Sequence, residues 1–353
     1  CMVGLLTDLS GMPPDGGGND AISSGMASPS QGGQQPPNTQ TTPSVRVTRL
    51  APSPTGALHL GNARTFLVNW ALARRNGWKI VLRIEDLDGP RIKEGAAESV
   101  IDTLRWLGMD WDEGPIVQSR DLSPYIDAMR ALANRSRAFP CALTRAEIEE
   151  AASAPHGPTG ESRFPSELRP AIHPRDFDDP ETNWRFVVEP GDVTFRDEFA
   201  GSQRIDPSAS VGDFVIWTKR AQPSYQLAVV VDDHRQSITD IVRGDDLLDS
   251  AARQLLLYRA LGYAQEPAYT HLPLVVGEDG RRLAKRHGDT RIDHYRAHGV
   301  AAERVIGLLA FWSGIAAGRA PMSAGEFASA FNLGSMPRDA AVFTTEDDRW
   351  LLG

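Results

Sequence analysis

A Pro- and Gly-rich turn between a short apolar strand and a helix constrains this chain more than any other feature. Residues 49–62 read Arg-Leu-Ala-Pro-Ser-Pro-Thr-Gly-Ala-Leu-His-Leu-Gly-Asn. Val45, Val47 and Leu50 form a β-prone run, the turn itself excludes regular structure, and a helical apolar pattern begins near Gly61. A helix N-terminus that follows such a turn attracts phosphate, because it offers backbone N–H groups and the positive end of the helix dipole.

Two residues of this turn are candidates for contact with a phosphate group. Gly61 leaves room where a side chain would collide with a ligand, and His59 can donate a hydrogen bond to a phosphate oxygen. The alternative is that both residues only shape a tight loop, because a four-residue pattern is weak by itself.

A basic segment far along the chain supplies a second candidate phosphate site. An apolar run from Tyr269 to Val276 predicts a strand, and the turn after it leads to Arg282, Lys285 and Arg286. A flexible lysine suits a triphosphate, whose charge increases as pyrophosphate departs. The alternative is an ordinary solvated basic surface. Together, the turn and the basic segment indicate that a nucleoside triphosphate is bound from two sides.

Several motifs in one order make the chain similar to the catalytic part of a class I aminoacyl-tRNA synthetase of the glutamyl type. The resemblance extends from about Arg46 to about Gly314. It implies that ATP, with Mg²⁺, activates L-glutamate. The motifs are His-Leu-Gly-Asn at 59–62, which resembles the HIGH signature, Leu-Arg-Ile-Glu-Asp-Leu-Asp at 82–88, Ser-Tyr-Gln-Leu-Ala-Val-Val-Val-Asp-Asp-His at 224–234, Ile-Val-Arg-Gly-Asp-Asp-Leu-Leu at 241–248, and Arg-Leu-Ala-Lys-Arg at 282–286, which resembles the KMSKS loop with Ala284 where Ser is usual.

The order of predicted elements indicates an α/β fold. The resemblance implies a class I synthetase Rossmann-like parallel sheet, an inserted α+β module of the acceptor-binding type and a small helical C-terminal segment. The predicted strands are 78–84, 184–189, 214–218, 225–231 and 269–276, and the predicted helices are 93–107, 123–137, 144–153, 249–261, 301–313 and 324–330. The predicted divisions are a disordered low-complexity tail at 1–45, the two halves of the nucleotide-binding domain at 46–138 and 221–290, the inserted module at 139–220 and the helical segment at 291–353.

Recognition of glutamate requires cationic groups for two carboxylates and an anionic group for the ammonium. Arg49 and Arg243 lie beside predicted strand ends and can bind carboxylates in a bidentate manner. Glu85 follows an apolar strand and can hold the ammonium group. The resemblance places Arg49 on the side-chain carboxylate, Arg243 nearer the α-carboxylate, and Tyr225 and Ser53 as hydrogen-bonding partners. The predicted glutamate-binding set also contains Leu50, Ala51 and Pro52, and the predicted ATP-binding set is His59, Gly61 and Lys285, of which His59 and Lys285 are predicted to be catalytic.

Ordinary ion pairs are the alternative interpretation of two of these residues. Glu85 can pair with Arg83 or Arg91, and Arg243 can pair with Asp240 or Asp246, as surface charges often do. The sequence by itself leaves both interpretations open. It also suggests a metal site at Asp232, Asp233 and His234, although a hydrogen-bonded cluster at a strand end is the preferred interpretation.

The acceptor of the glutamate is predicted from the shortness of the segment that follows the KMSKS-like loop. That segment is too short for a typical anticodon-binding domain and its connection. The shortened form resembles the glutamyl-queuosine tRNA(Asp) synthetase family, which implies transfer of glutamate to queuosine in the anticodon stem-loop of tRNA(Asp). The alternatives are a truncated glutamyl-tRNA synthetase that charges the tRNA 3′ end, and a non-catalytic paralogue that binds RNA or a protein partner.

Composition limits the setting in which such an enzyme works. The net charge of −9 argues against a general nucleic-acid binder, so contact with tRNA requires a local basic patch. No apolar stretch is long enough for a membrane helix, and two cysteines give no disulfide framework. We therefore expect a cytoplasmic enzyme, which we predict to be a monomer.

The inserted module departs from the pattern of the short family, which often binds structural zinc through Cys-x-Cys, a Tyr and a third Cys. Leu143 and Leu168 stand at positions where this pattern has metal ligands. Cys141 combined with His156 or His173 is a poor match to a closed tetrahedral site. We therefore expect no structural zinc, and packing around Phe139 and Phe164 in its place.

Overall fold

The computed structural model describes residues 45–87, 89, 92–151, 163–283 and 288–353. The tail predicted at 1–45 lies outside this part of the chain, apart from the exposed Val45.

The helices are α1 Leu60–Asn76, α2 Ala96–Trp106, α3 Ser123–Asn134, α4 Arg145–Ala151, α5 Pro207–Ser210, α6 Tyr225–Arg235, α7 Leu248–Leu261, α8 Ile292–Ala297, α9 Ala302–Trp312, α10 Ala324–Ala330 and α11 Thr345–Leu352. The strands are β1 Val47–Leu50, β2 Lys79–Ile84, β3 Glu113–Val117, β4 Ala138–Cys141, β5 Asn183–Phe186, β6 Val193–Asp197, β7 Gly201–Ile205, β8 Val215–Thr218, β9 Gln222–Pro223, β10 Asp240–Gly244, β11 Ala268–Leu272, β12 Val275–Gly277 and β13 Ala341–Phe343.

Two groups of parallel strands form the centre of the molecule. Strands β1, β2 and β3 pair in parallel, with Val47 opposite Lys79, and helix α1 makes the crossover between β1 and β2. Strands β10 and β11 also pair in parallel. The two sets meet where the backbone N–H of Thr239 donates to the carbonyl oxygen of Val47 at 2.9 Å. The resulting order resembles a doubly wound sheet, in which ligands bind beyond the carboxyl ends of the central strands.

The segment between the two halves forms a separate antiparallel sheet. Its strand order is β4, β5, β8 and β9, and Trp184, Phe186 and Trp217 are buried between this sheet and helices α3 and α6. The hairpin of β6 and β7 does not belong to this antiparallel sheet. Asp197, the last residue of β6, is in parallel register with Tyr269 of β11 in the central sheet. The predicted module at 139–220 therefore includes a hairpin that extends the central sheet. The five divisions drawn from the sequence remain predictions.

The C-terminal helices share a core with helix α1. Leu308 and Phe327 are fully buried in the same cluster as Leu67. Arg64 of α1 is also buried, and it donates hydrogen bonds to the carbonyl oxygens of Pro273 (2.8 Å) and Trp312 (3.0 Å). Within the described residues, no helix is long and apolar enough to span a membrane.

Most predicted elements agree with the structure, but the strand predicted at 225–231 is wrong. The segment begins helix α6, with Ser224 at its N-cap. Three consecutive valines favour a strand in isolation, whereas a short apolar run cannot distinguish a strand from a buried helix. The helix is buried on nearly all sides, so its apolar residues show no period. The strand predicted at 269–276 is interrupted after Leu272 and continues as β12.

Candidate active site

A cleft of about 1490 Å³ lies between the two halves of the central sheet and the inserted module. Leu50 does not line it, because its side chain is fully buried in the core. Lys285 lies in the segment 284–287, outside the described residues. The predicted site residues that line the cleft are Arg49, Ala51, Pro52, Ser53, His59, Gly61, Glu85, Tyr225 and Arg243.

Backbone hydrogen bonds join the turn to residues that lie shortly after the basic segment in the sequence. The N–H of Leu60 donates to the carbonyl oxygen of Thr290 at 3.0 Å, and the N–H of Ile292 donates to that of Leu58 at 2.8 Å. Arg282 lines the same cleft and donates a hydrogen bond to Asp246 at 2.8 Å. The turn and Arg282, the first residue of the KMSKS-like motif, therefore line one cleft, and the binding of a triphosphate between the two motifs stays a prediction.

His59 is the N-cap residue of α1, and its environment sets its protonation state. Its Nδ1 atom accepts a hydrogen bond from the N–H of Asn62 at 3.4 Å. Burial, together with the charge of Arg282, lowers the pKa of His59 to about 4. The imidazole is therefore neutral at pH 7, and its proton is on Nε2, which is then a hydrogen-bond donor.

Some backbone N–H groups at the start of α1, which the sequence predicts to be free for a phosphate, are already hydrogen-bonded within the protein. The N–H groups of Leu60 and Asn62 already have acceptors. A Cβ atom at Gly61 would lie 3.3 Å from the ring of His59 and 3.5 Å from Cβ of Val275. Gly61 thus makes room for the imidazole, a finding closer to the loop-shaping interpretation than to direct ligand contact.

Arg49, at the carboxyl end of β1, is a buried cation with incomplete pairing. Its exposed fraction is 5%, and its Nε atom lies 3.3 Å from Oδ1 of Asp233. Within the described part of the chain, this Nε atom makes no hydrogen bond. A buried donor without an acceptor is costly, so an arriving carboxylate would find a guanidinium group that gains from pairing.

Glu85 lines the cleft and also makes the ion pair that was its alternative interpretation. Nη2 of Arg83 donates to Oε1 of Glu85 at 3.0 Å, and Nη1 of Arg83 donates to Asp233 at 2.8 Å. Burial raises the pKa of Glu85, against the opposing effect of the Arg83 and Arg49 charges. The N–H of Glu85 donates to the carbonyl oxygen of Pro52 at 3.0 Å, which holds it beside the turn.

Arg243 makes neither of the ion pairs that were its alternative interpretation. Asp240 binds Arg46, and Asp246 binds Arg282. Arg243 instead donates from Nε to Nε2 of His271 at 2.9 Å. It also donates to Oε1 of Gln254 at 2.8 Å and to the carbonyl oxygen of Leu247 at 3.2 Å. Sequence reasoning missed His271 and Gln254, because neither belongs to a recognisable motif.

Asp232 and Asp233 belong to a hydrogen-bonded cluster on helix α6, not at a strand end as predicted. Asp232 accepts from Gln118 at 2.7 Å and from the hydroxyl of Tyr125 at 2.8 Å, and Asp233 accepts from Arg83. Among the residues that the structure describes, no group of three or more His, Cys, Asp or Glu side chains is arranged to hold a metal ion.

An apolar cluster occupies the part of the inserted module where the short family often binds zinc. Phe139, Cys141 and Phe164 are buried there, and Leu143 and Leu168 pack against them. Leucine side chains cannot ligate a metal, so these residues do not fit a tetrahedral zinc site. His156 lies outside the described residues. Packing of Phe139 and Phe164 is the arrangement predicted from the sequence, with ring centroids 6.0 Å apart.

Comparison with known proteins identifies the family. Residues 44–350 match the family described as tRNA synthetases class I (E and Q), catalytic domain. The chain belongs to this family. Membership implies that the protein is a ligase of the synthetase type that uses ATP. It also explains why the turn at 49–62 and the segment after β12 face one cleft.

Two relatives and one solved structure define the similarity further. The chain is 45% identical to "Glutamyl-Q tRNA(Asp) synthetase" of Symbiobacterium thermophilum, over 84% of this chain and 96% of the relative. It is 46% identical to the protein of the same name from Rhodopirellula baltica, over 77% and 86%. The crystal structure of a glutamate tRNA ligase from Elizabethkingia meningosepticum, in complex with its amino acid, superposes with a TM-score of 0.72 at 26% identity, over 87% of this chain and 68% of that one.

Proposed function

We propose that this protein activates L-glutamate with ATP and transfers it to the queuosine base in the anticodon stem-loop of tRNA(Asp). The observation that carries the proposal is similarity at 45% identity over 96% of the length of a protein named Glutamyl-Q tRNA(Asp) synthetase. The cleft supports it, because Arg49, Arg243, Glu85, the turn with His59, and Arg282 line one space. We propose a cytoplasmic reaction, because tRNA and ATP are both available in that compartment.

The first step forms glutamyl-adenylate. An α-carboxylate oxygen of glutamate attacks the α-phosphorus of ATP, and the bond from that phosphorus to pyrophosphate breaks. Mg²⁺ bound to the phosphates supplies positive charge, and Nε2–H of His59 and the ammonium of Lys285 stabilise charge that develops on the phosphate oxygens. Arg49 binds the side-chain carboxylate, Arg243 the α-carboxylate and Glu85 the ammonium, so the reacting atoms are positioned before reaction.

The second step transfers the glutamyl group. A queuosine hydroxyl oxygen attacks the activated carbonyl carbon, AMP leaves, and the hydroxyl proton passes to solvent. The cleft continues from the glutamate pocket to the inserted module, where the exposed Arg145 and Arg220 line it. We propose these two cations, of which Arg145 also pairs with Glu149 at 2.8 Å, as contacts for RNA phosphates.

Transfer of labelled glutamate to purified tRNA(Asp), with and without queuosine, tests the acceptor. Ribonuclease digestion then locates the label. We expect the label on the modified anticodon base and none on tRNA(Asp) that lacks queuosine. Label on the terminal adenosine would reject the proposal in favour of a truncated glutamyl-tRNA synthetase, and absence of any transfer or activation would favour a non-catalytic paralogue.

Exchange of pyrophosphate into ATP tests the amino-acid site separately. Glutamate should support exchange without tRNA, whereas glutamine should be a poor substrate because its neutral amide leaves Arg49 without a charged partner. Equal exchange with both amino acids would contradict the role assigned to Arg49.

Charge removal at the module side of the cleft tests the RNA path. Arg145→Ala and Arg220→Ala should each raise the KM for tRNA(Asp) and leave pyrophosphate exchange unchanged. Arg130→Ala is the matched control, because Arg130 on α3 is also an exposed arginine that pairs with a carboxylate on its own helix, as Arg145 does, but it does not line the cleft. Each cleft variant should reduce the salt dependence of tRNA binding by about one unit of slope. An effect of the same size in all three variants would contradict this path.

A further inference from the structure

A buried chain of hydrogen bonds connects Arg243 to a carboxylate on another strand. Nε of Arg243 donates to Nε2 of His271 at 2.9 Å, and Nδ1 of His271 lies 2.6 Å from Oδ2 of Asp197. His271 and Asp197 are each 1% exposed. Neither residue lines the cleft, so they reach a ligand only through Arg243.

The protons in this chain have a fixed arrangement. An arginine is always a donor, so the Nε2 atom that faces it must be unprotonated. The remaining ring nitrogen, Nδ1, then carries the proton and donates it to Asp197. Burial lowers the pKa of His271, against the hydrogen bond to Asp197, which raises it. The ring is therefore neutral, with one nitrogen a donor and the other an acceptor.

Asp197 is itself held by several donors. Its Oδ1 atom accepts from the N–H of Phe199 at 2.9 Å and from that of Ala200 at 2.6 Å, and the backbone N–H of His271 lies 3.1 Å from Oδ2. Arg338 packs over the ring of Phe199, 4.1 Å from its centroid. Burial favours the protonated carboxyl, but the hydrogen bonds outweigh it and lower the pKa of Asp197. Asp197 is thus an immobile anion.

The contacts of Arg243 leave a defined number of donors for a ligand. A guanidinium group has five N–H donors, and three acceptors bind Arg243 within the described residues: His271, Gln254 and Leu247. Two donors remain, which equals the number of oxygen atoms in a carboxylate. Each of the three nitrogens has a protein partner, so the group cannot rotate freely.

We propose that His271 and Asp197 are positioning residues for substrate glutamate, with Asp197 fixing the imidazole tautomer that holds Arg243 ready for the α-carboxylate. This inference rests on the proposed function. The carboxylate comes from the β6–β7 hairpin, and the imidazole comes from β11 of the central sheet. The hairpin therefore completes the amino-acid site through its pairing with β11, without contacting the ligand.

Two substitutions of one residue separate positioning from packing. The amide of His271→Gln reaches the place of Nε2 and can still accept from Arg243. The amide of His271→Asn reaches only the place of Nδ1, so it can satisfy Asp197 but leaves Nε of Arg243 without an acceptor. Asp197→Asn is the second route to the same defect, because an amide that donates to Nδ1 forces the proton onto Nε2, where it faces another donor.

Pyrophosphate exchange gives the measurement, with KM determined for both glutamate and ATP. His271→Asn and Asp197→Asn should raise the KM for glutamate about tenfold, the effect of leaving a buried donor unpaired, and leave the KM for ATP unchanged. His271→Gln should stay near the wild type. On an Arg243→Lys background, which retains the charge but has no Nε–H, His271→Asn should add little further.

The outcomes separate this inference from the proposed function. Wild-type protein without glutamate-dependent exchange would reject the function itself. Normal glutamate KM in both Asn variants, or a full His271→Asn effect on the Arg243→Lys background, would overturn the positioning role. An equal rise of both KM values in His271→Gln and His271→Asn would also overturn it, because lost packing would then explain the defect.

Discussion

His59→Asn should have opposite effects on activity and on stability in acid. Asparagine is a preferred N-cap residue, so its side-chain oxygen can replace Nδ1 of His59 as acceptor for the N–H of Asn62. The variant has no Nε2–H to donate to a phosphate. The activation rate at pH 7.5 should therefore fall by about 10²-fold, the lower range for loss of one preorganised donor.

The effect on stability follows from the pKa of His59, which is about 4 in the folded protein against an ordinary value of 6.5. Between these two values the unfolded chain binds a proton that the folded protein does not. The free energy of unfolding of the wild type therefore decreases as pH falls from about 6.5 to about 4, and this group has no effect above that window. At pH 5 the penalty is about 2 kcal/mol.

Denaturant unfolding of both proteins at pH 7.5 and pH 5 provides the assay. All other titrating groups are shared, so the difference between variant and wild type isolates position 59. That difference should shift by about 2 kcal/mol in favour of His59→Asn between the two pH values. A difference that is the same at both pH values would refute the conclusion that a buried, neutral imidazole caps α1.

Three further predictions concern other parts of the molecule. Lys285→Ala should lower the rate of pyrophosphate exchange by a factor of about 10²–10³ with little change in glutamate KM. A normal rate would show that a different segment stabilises the charge on the phosphates. Gly307→Ala should lower the free energy of unfolding by about 1–3 kcal/mol, because the added Cβ would lie 1.9 Å from the carbonyl oxygen of Ala320. This clash should outweigh the helix propensity of alanine, and an unchanged thermal unfolding temperature would contradict the packing. Treatment with a zinc chelator should leave the melting temperature unchanged, because Leu143 and Leu168 occupy the ligand positions, and a decrease would reveal a metal.

The local parts of the site could be predicted from the sequence. The turn at 49–62 contains its own conformational signals, so the start of α1 and the end of β1 were placed within one or two residues. Arg49 and Arg243 are candidates because they lie beside predicted strand ends, Glu85 is one because it follows an apolar strand, and the family resemblance supplies the role of each. Their convergence on one cleft required only the fold class, which the motifs supplied.

Contacts between distant segments could not be predicted in the same way. Nothing in the run that contains His271 shows that its ring separates Arg243 from Asp197. That arrangement depends on a hairpin from the inserted module joining β11, at the register of Tyr269 and Asp197. Helix α6 could not be predicted for a related reason. Neighbouring segments bury it on nearly all sides, so its apolar residues do not follow the helical period that identifies an amphipathic helix.

The partners of three buried arginines in or beside the cleft distinguish their roles. Arg83 is neutralised by Glu85 and Asp233, each within 3.0 Å, so it serves the fold and not a ligand. Within the described residues, the salt bridge of Arg49 is to Asp233 at 3.3 Å, an anion that it shares with Arg83, whereas Arg243 has neutral hydrogen-bond partners. Removing one member of a buried ion pair is strongly destabilising, so loss of Glu85 or Asp233 should destabilise the fold at Arg83. Arg49 therefore shares an anion with Arg83, and Arg243 has no anionic partner within the described residues, so a substrate with two carboxylates should gain more at these two cations than its monoamide.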